Sequence, residues 1–135
     1  MTSGYSGTPL VKKLNLRDGM RVWFDAMPED VIDEIDEYAL ELFFVADPAE
    51  GIDAAHIFVT IRAALETQLT ALRHQISPEG QIWVSWPKKA AKVETDITED
   101  TIREIALPLG LVDTKVCAID EVWSGLKLVI RKELR

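Results

Sequence analysis

The sequence predicts a three-layer α/β domain with a mainly parallel sheet of about six strands and an antiparallel pair at its C-terminal edge. Three observations carry this reading. Short β-rich runs alternate along the chain with segments of helical period. One such segment, Arg62 to Ile76, spaces Leu65, Leu69, Leu72 and Ile76 by 4, 3 and 4 residues, which is one face of a helix. The last two apolar runs are joined by a short link containing Ser124-Gly125, too short for a parallel crossover.

The elements follow in order. Residues 1–9 are rich in serine, glycine and threonine and read as a flexible arm, with the domain occupying 10–135. Leu10 to Leu16 gives a short helical turn closed by Asp18-Gly19. Met20 to Ala26 is a strand centred on Val22, Trp23 and Phe24. Pro28, Glu29 and Asp30 then start a helix, because proline suits the first turn and carboxylates favour its positive end. Its stripe is Val31, Ile35 and Tyr38, and Leu42 to Ala46 is the next strand. Ala55 to Ile61 is a further strand, preceding the Arg62 helix.

Ser77-Pro78-Glu79-Gly80 ends that helix, and Gln81 to Trp86 is a strand stopped by Pro87. Thr98 caps a last helix buried through Ile102, Ile105, Ala106 and Leu109, closed by Pro108 and Gly110. Val112 to Ile119 and Leu126 to Arg131 form the final pair. The unbroken Val-Cys-Ala-Ile run of the first suits a strand covered on both faces. The Leu/Lys/Leu alternation of the second suits a sheet edge. Only eight residues separate Ala46 from Ala55. An extended link of that length spans roughly 25 Å and can run back along a short strand, so the two remain parallel, with a hairpin as the alternative.

Composition narrows the function classes. The 135 residues are 47% hydrophobic and 28% charged, which excludes a disordered or fibrous chain and fits one globular domain. The net charge of -8 disfavours nucleic acid and anionic membrane as partners. The single cysteine, Cys117, suits a reducing compartment, and no stretch approaches the roughly 20 apolar residues of a membrane span. A cytoplasmic protein is expected.

The stretches Ser-Gly-Tyr-Ser-Gly-Thr-Pro-Leu (3–10), His-Ile-Phe-Val-Thr (56–60), Trp-Val-Ser-Trp-Pro-Lys-Lys (83–89) and Asp-Glu-Val-Trp-Ser-Gly-Leu-Lys (120–127) resemble a family of small bacterial proteins of unknown function. The order of elements, with Leu-Asn-Leu-Arg-Asp-Gly-Met-Arg-Val at its head, more distantly resembles a shortened class I methyltransferase core. That resemblance implies a Rossmann-like fold and a crevice for S-adenosylmethionine. Such enzymes carry a glycine-rich turn after the first strand and an acidic residue after the second. This chain has Asp25-Ala26-Met27-Pro28-Glu29 at the first place and Asp47 at the second.

Candidate functional residues gather at the carboxyl ends of the strands. Open α/β sheets bind ligands at that edge, where strand order reverses. Trp86, Lys88 and Lys89 follow one expected strand, and Asp25, Thr60 and Arg62 open onto the same crevice if their strands are neighbours. The set suits a small anionic ligand, an aromatic one included, with Trp86 as a stacking surface, the cations as charge, and free N–H groups at the helix start. It names no cofactor, catalytic residue or metal ligand. His56 reads as a hydrogen-bonded core residue and Cys117 as a small buried hydrophobe. The run Glu29 to Glu41 holds seven carboxylates and no cation, a solvated helix face or a dock for a basic protein partner. Trp123 is expected to pack back on the sheet, with a partner contact as the alternative. The functional expectation is a non-catalytic binding or regulatory module; a reduced methyltransferase-like enzyme is the alternative.

Overall fold

Alternating apolar positions assemble six strands into one sheet, in a computed structural model that describes residues 7–135. The strands are β1 (Arg21–Asp25), β2 (Phe43–Phe44), β3 (Ile52–Phe58), β4 (Ile76–Pro87), β5 (Leu111–Ala118) and β6 (Trp123–Ile130). Their order is β2-β1-β3-β4-β6-β5. The pairings from β2 to β4 are parallel; β4 with β6 and β6 with β5 are antiparallel. The chain runs from β1 outward to β2 and returns to β3 on the other side of β1. Strand order therefore reverses there. Most of the expected arm lies outside the described residues.

Two apolar cores cover the two faces of the sheet. On one, α1 (Leu10–Lys13) and α2 (Glu29–Asp36) bring Leu10, Leu14, Val31 and Ile35 against Val22, Phe58 and Trp83. On the other, α3 (Arg62–Gln75) and α4 (Glu99–Ala106) bury Leu65, Leu69, Leu72 and Ile102 against Ile57, Ile82, Val84 and Leu128. The period-2 alternation of each strand feeds both cores. α1 is too short to hold itself in place. The Gln81 amide and the Trp83 indole of β4 both donate to the Leu14 carbonyl, at 2.7 and 3.1 Å, and pin the turn after α1 to the sheet.

Several boundaries differ from the sequence reading, each for a physical reason. β2 contracts to two residues, Phe43–Phe44, just ahead of the turn that Asp47 caps. β3 starts at Ile52, after a short 3-10 turn at Pro48–Glu50 capped by Asp47. β2 and β3 are not a hairpin, since β1 lies between them. β4 starts at Ile76: the expected turn 77–80 is instead a bulge, where Ile52 pairs with Ile76 but Ala54 already pairs with Gln81. The edge assignment of the last two strands is reversed. β5 is the edge, with Val116 half exposed, and β6 is interior. Lys127 marks no free edge, because β6 is paired on both sides and the Lys127 ammonium donates to Asn15 Oδ1 at 3.1 Å.

Gly80 shows how tightly the bulge is packed. A Cβ there would lie 2.8 Å from the backbone oxygen of Asp53 and 2.6 Å from Ile76 Cγ1. Backbone cannot swing aside as a side chain can. Gly80→Ala is expected to destabilise the fold by about 1–3 kcal/mol. Urea unfolding followed by circular dichroism measures this, and a variant as stable as the parent would mean that the bulge is pliable.

Candidate functional site

A hollow lies at the carboxyl end of β4. It encloses about 460 Å3 and is lined by Trp86, Pro87, Lys88, Lys89, Val93, Thr95, Ile97, Thr98 and Glu99. β4 supplies its floor, and the chain beyond, 88–98, turns back to form its rim. Trp86 is 8% exposed, so it serves as a fixed apolar wall and is not a free stacking platform. Lys88 is anchored through its backbone N–H, which donates to the Val122 carbonyl at 2.7 Å. Lys92 closes the following 3-10 turn in the left-handed region, at φ 56°.

Lysines give the rim of this hollow positive charge. Among the described residues no carboxylate lies within 4.0 Å of the Lys88, Lys89 or Lys92 ammonium groups. Glu99 lines the hollow, but its carboxylate is paired with Arg103, which also binds Asp100 and Asp113 at 3.0 Å each. The Glu99 carboxylate is thus held by a guanidinium that it shares with two further carboxylates. Thr98 caps α4, its hydroxyl accepting from the Thr101 N–H at 3.2 Å.

The remaining sequence-predicted residues occupy other places. Thr60 lines an adjoining hollow of about 510 Å3 with Ile61, Glu94, Thr95 and Asp96. Its carbonyl accepts from Thr95 Oγ1 at 2.6 Å, so Thr95 is the shared wall between the two hollows. Arg62 faces away from both, bound to Glu66 at 3.2 Å and Glu104 at 3.0 Å. Its backbone N–H, counted as free in the sequence reading, donates to Asp96 Oδ1 at 2.7 Å. Asp25 sits on the α3 side of β1 and accepts from Gln68 Nε2 at 2.8 Å. The structure therefore unites Trp86, Lys88 and Lys89, places Thr60 next door, and commits Arg62 and Asp25 to structural partners. Thr95, Ile97 and Thr98 escaped the sequence reading. Only the Thr98 cap signalled that this segment returns to the sheet.

His56 is 2% exposed on the α1/α2 face and shares a 2.7 Å hydrogen bond between Nε2 and Ser85 Oγ. It stacks on Phe58 with ring centres 4.5 Å apart, with Phe24 and Trp83 nearby. Ser85 is fully buried, so the pair is a core contact closed to substrate. Trp123 lies in β6 and packs edge-on against Phe58 at 5.1 Å. Burial likewise raises the Cys117 thiol above its ordinary value.

Solved structures define the class to which this architecture belongs. Ribosomal protein L11 methylase from Lactobacillus delbrueckii subsp. bulgaricus superposes with a TM-score of 0.55 at 10% identity, over 90% of this chain and 75% of that one. Magnesium protoporphyrin IX methyltransferase from Synechocystis PCC 6803, with bound S-adenosylmethionine, gives 0.56 at 13% identity, over 90% and 74%. Aeropyrum pernix fibrillarin, also holding S-adenosylmethionine, gives 0.52 at 11%, over 93% and 70%. The fold is that of a class I methyltransferase-like α/β domain. No curated protein matches the chain in sequence. Residues 11–132 match the family described as proteins of unknown function, DUF3052, and the chain belongs to that family.

The residues at the β1 turn do not fit S-adenosylmethionine in the manner the fold implies. Ala26 takes φ 57°, a left-handed position where a glycine would leave backbone open to close approach. The first turn of α2 carries Glu29 and Asp30, whose negative charge stands at the helix end where an anionic group would otherwise be favoured. Asp47, the acidic residue after β2, caps the following turn by accepting from the Ala49 N–H at 2.9 Å.

Burial without compensating charge pushes His56 down to about 3. The folded value lies below the unfolded one, so the unfolded chain takes up a proton first as pH falls from about 6.5. Stability from this group is full at neutral pH and declines towards pH 3. The difference amounts to about 2 kcal/mol at pH 5. Urea titrations at pH 7 and pH 5 should show the parent losing about that much more than His56→Gln; equal losses would mean that His56 titrates normally.

Proposed function

We propose that this protein is a ligand-binding module whose site is the hollow at the end of β4, taking a small anionic molecule with an apolar portion. One observation carries the reading. A cavity of about 460 Å3 joins apolar walls from Trp86, Val93 and Ile97 to Lys88 and Lys89, whose charges have no carboxylate partner among the described residues. Its volume lies in the range of small-molecule sites, roughly 300–1,000 Å3, and the few polar groups converge on one rim. A desolvated anion pairs more strongly with an ammonium there than in open water.

A thermal-shift screen of nucleotides and metabolites identifies the anion, and the variant Lys88→Ala/Lys89→Ala tests the site. Each lost charge contact is expected to weaken binding by roughly tenfold to hundredfold, while the melting temperature stays nearly constant. Unaltered affinity in the double variant would place the ligand elsewhere.

The second reading is a reduced S-adenosylmethionine-dependent enzyme. The similarity to two structures that hold this cofactor favours it. Calorimetry with S-adenosylmethionine and its demethylated product separates the readings. The expected result is no heat of binding at micromolar concentrations. Micromolar affinity for either compound would support the enzyme.

A further inference from the structure

The opposite edge of the sheet carries an exposed apolar feature that the β4 hollow does not use. Phe43 and Phe44 form β2, and they are 60% and 61% exposed. Large adjacent aromatics on an open sheet edge are costly to leave in water and invite strand addition. Among the described residues β2 pairs only with β1. The Phe43 and Val45 N–H groups donate to the Met20 and Val22 carbonyls of the β1 segment, at 2.9 and 3.0 Å. By alternation, the Phe44 N–H and C=O point away from β1, towards the open edge. The two phenyl rings project to opposite faces of the sheet, so an added strand would run between them.

Charge identifies the occupant. The stretch from Val22 to Ile61 contains eleven of the chain's 23 carboxylates and none of its 15 lysines and arginines. It includes β1 from Val22 onward, α2, β2 and β3; Arg21, which starts β1 beside Phe43, has its guanidinium turned to the Gly51 and Glu50 carbonyls at 2.9 and 3.3 Å. Glu37, Glu41, Asp47 and Glu50 flank the two phenylalanines in the chain, and all four are exposed. None of them forms an ion pair among the described residues. A second copy joined edge to edge would set this acidic half against itself.

We infer that the β2 edge docks an extended, lysine- or arginine-rich segment of a partner protein, added as a strand beside Phe43 and Phe44. Its backbone pairs with Phe44, its apolar side chains meet the phenyl rings, and its cations meet the carboxylate rim.

The test uses the full-length protein and labelled peptides of about eight residues, a usual strand length. One alternates lysine with valine, and a second replaces each lysine by glutamate. A third is the lysine peptide N-methylated at alternate amides to remove ladder donors. Fluorescence anisotropy should give micromolar binding for the first, weakened at high salt. Affinity should fall roughly tenfold or more on N-methylation or in Phe43→Ser/Phe44→Ser, with no binding of the glutamate peptide. Because Phe44 meets Phe24 edge-on at 5.6 Å, Phe43→Ser alone provides a variant that keeps that contact, with its fold checked by melting temperature. No binding of the lysine peptide, equal binding of both charge types, or unaltered binding in the phenylalanine variants would overturn the inference. So would sedimentation showing that the protein self-associates and that the double variant does not, which would assign the edge to a second copy.

Discussion

The Leu14 carbonyl is the point on which one whole face of this molecule depends. It receives two buried donors from β4, the Gln81 amide and the Trp83 indole. A single helical turn such as α1 has almost no stability of its own, because nucleation costs more than one turn of hydrogen bonds returns. Two side-chain donors from the centre of the sheet hold it in place. Leu10 and Leu14 then cover Val22 and Trp83, and α2 packs alongside through Val31 and Ile35. The enclosure so formed includes His56, which is why an imidazole there is neutral and bound to Ser85. Removing either donor would leave a buried acceptor short of a partner and loosen the lid over that face.

Charge is divided between the two ends of the sheet, and this division organises its surfaces. All 15 cations lie outside the stretch from Val22 to Ile61, and the lysines at the end of β4 therefore stand apart from the eleven carboxylates of that stretch. A chain with a net charge of -8 can still present a local positive rim, because screening confines each field to about 10 Å at ordinary salt. The Glu99–Arg103 pair matters for the same reason, since it ties the carboxylate that lines the hollow to a guanidinium. At the other end, two exposed phenylalanines lie within the acidic stretch. The two ends thus differ in charge, lysines at one and carboxylates at the other.

The methyltransferase-like fold and the β1 turn pull in different directions. Strand order and crossover pattern place the reversal point beside β1, where ligands of such sheets sit. The local residues answer with a left-handed alanine, two carboxylates at the start of α2 and an Asp25 held by Gln68. Fold similarity at 10–13% identity speaks for architecture, and function belongs to the side chains placed on it.

The sequence by itself determined the class of the fold, the helices and the antiparallel terminal pair. Those features follow from local periodicity and turn chemistry: the Leu65–Leu69–Leu72 stripe, the Thr98 cap, and a link too short for a crossover. It also located Trp86, Lys88 and Lys89 at a strand end, and His56 in the core. Tertiary structure decided what each polar group faces. Nothing local in Arg62 announces Glu104, which lies 42 residues away, and nothing in Asp25 announces Gln68. Edge and interior strands were likewise settled only by packing, because Lys127 alternates as if solvated yet reaches Asn15 across the sheet. Periodicity records which face of an element is apolar. Which element covers that face, and which charge meets which, depends on contacts between residues far apart in the chain.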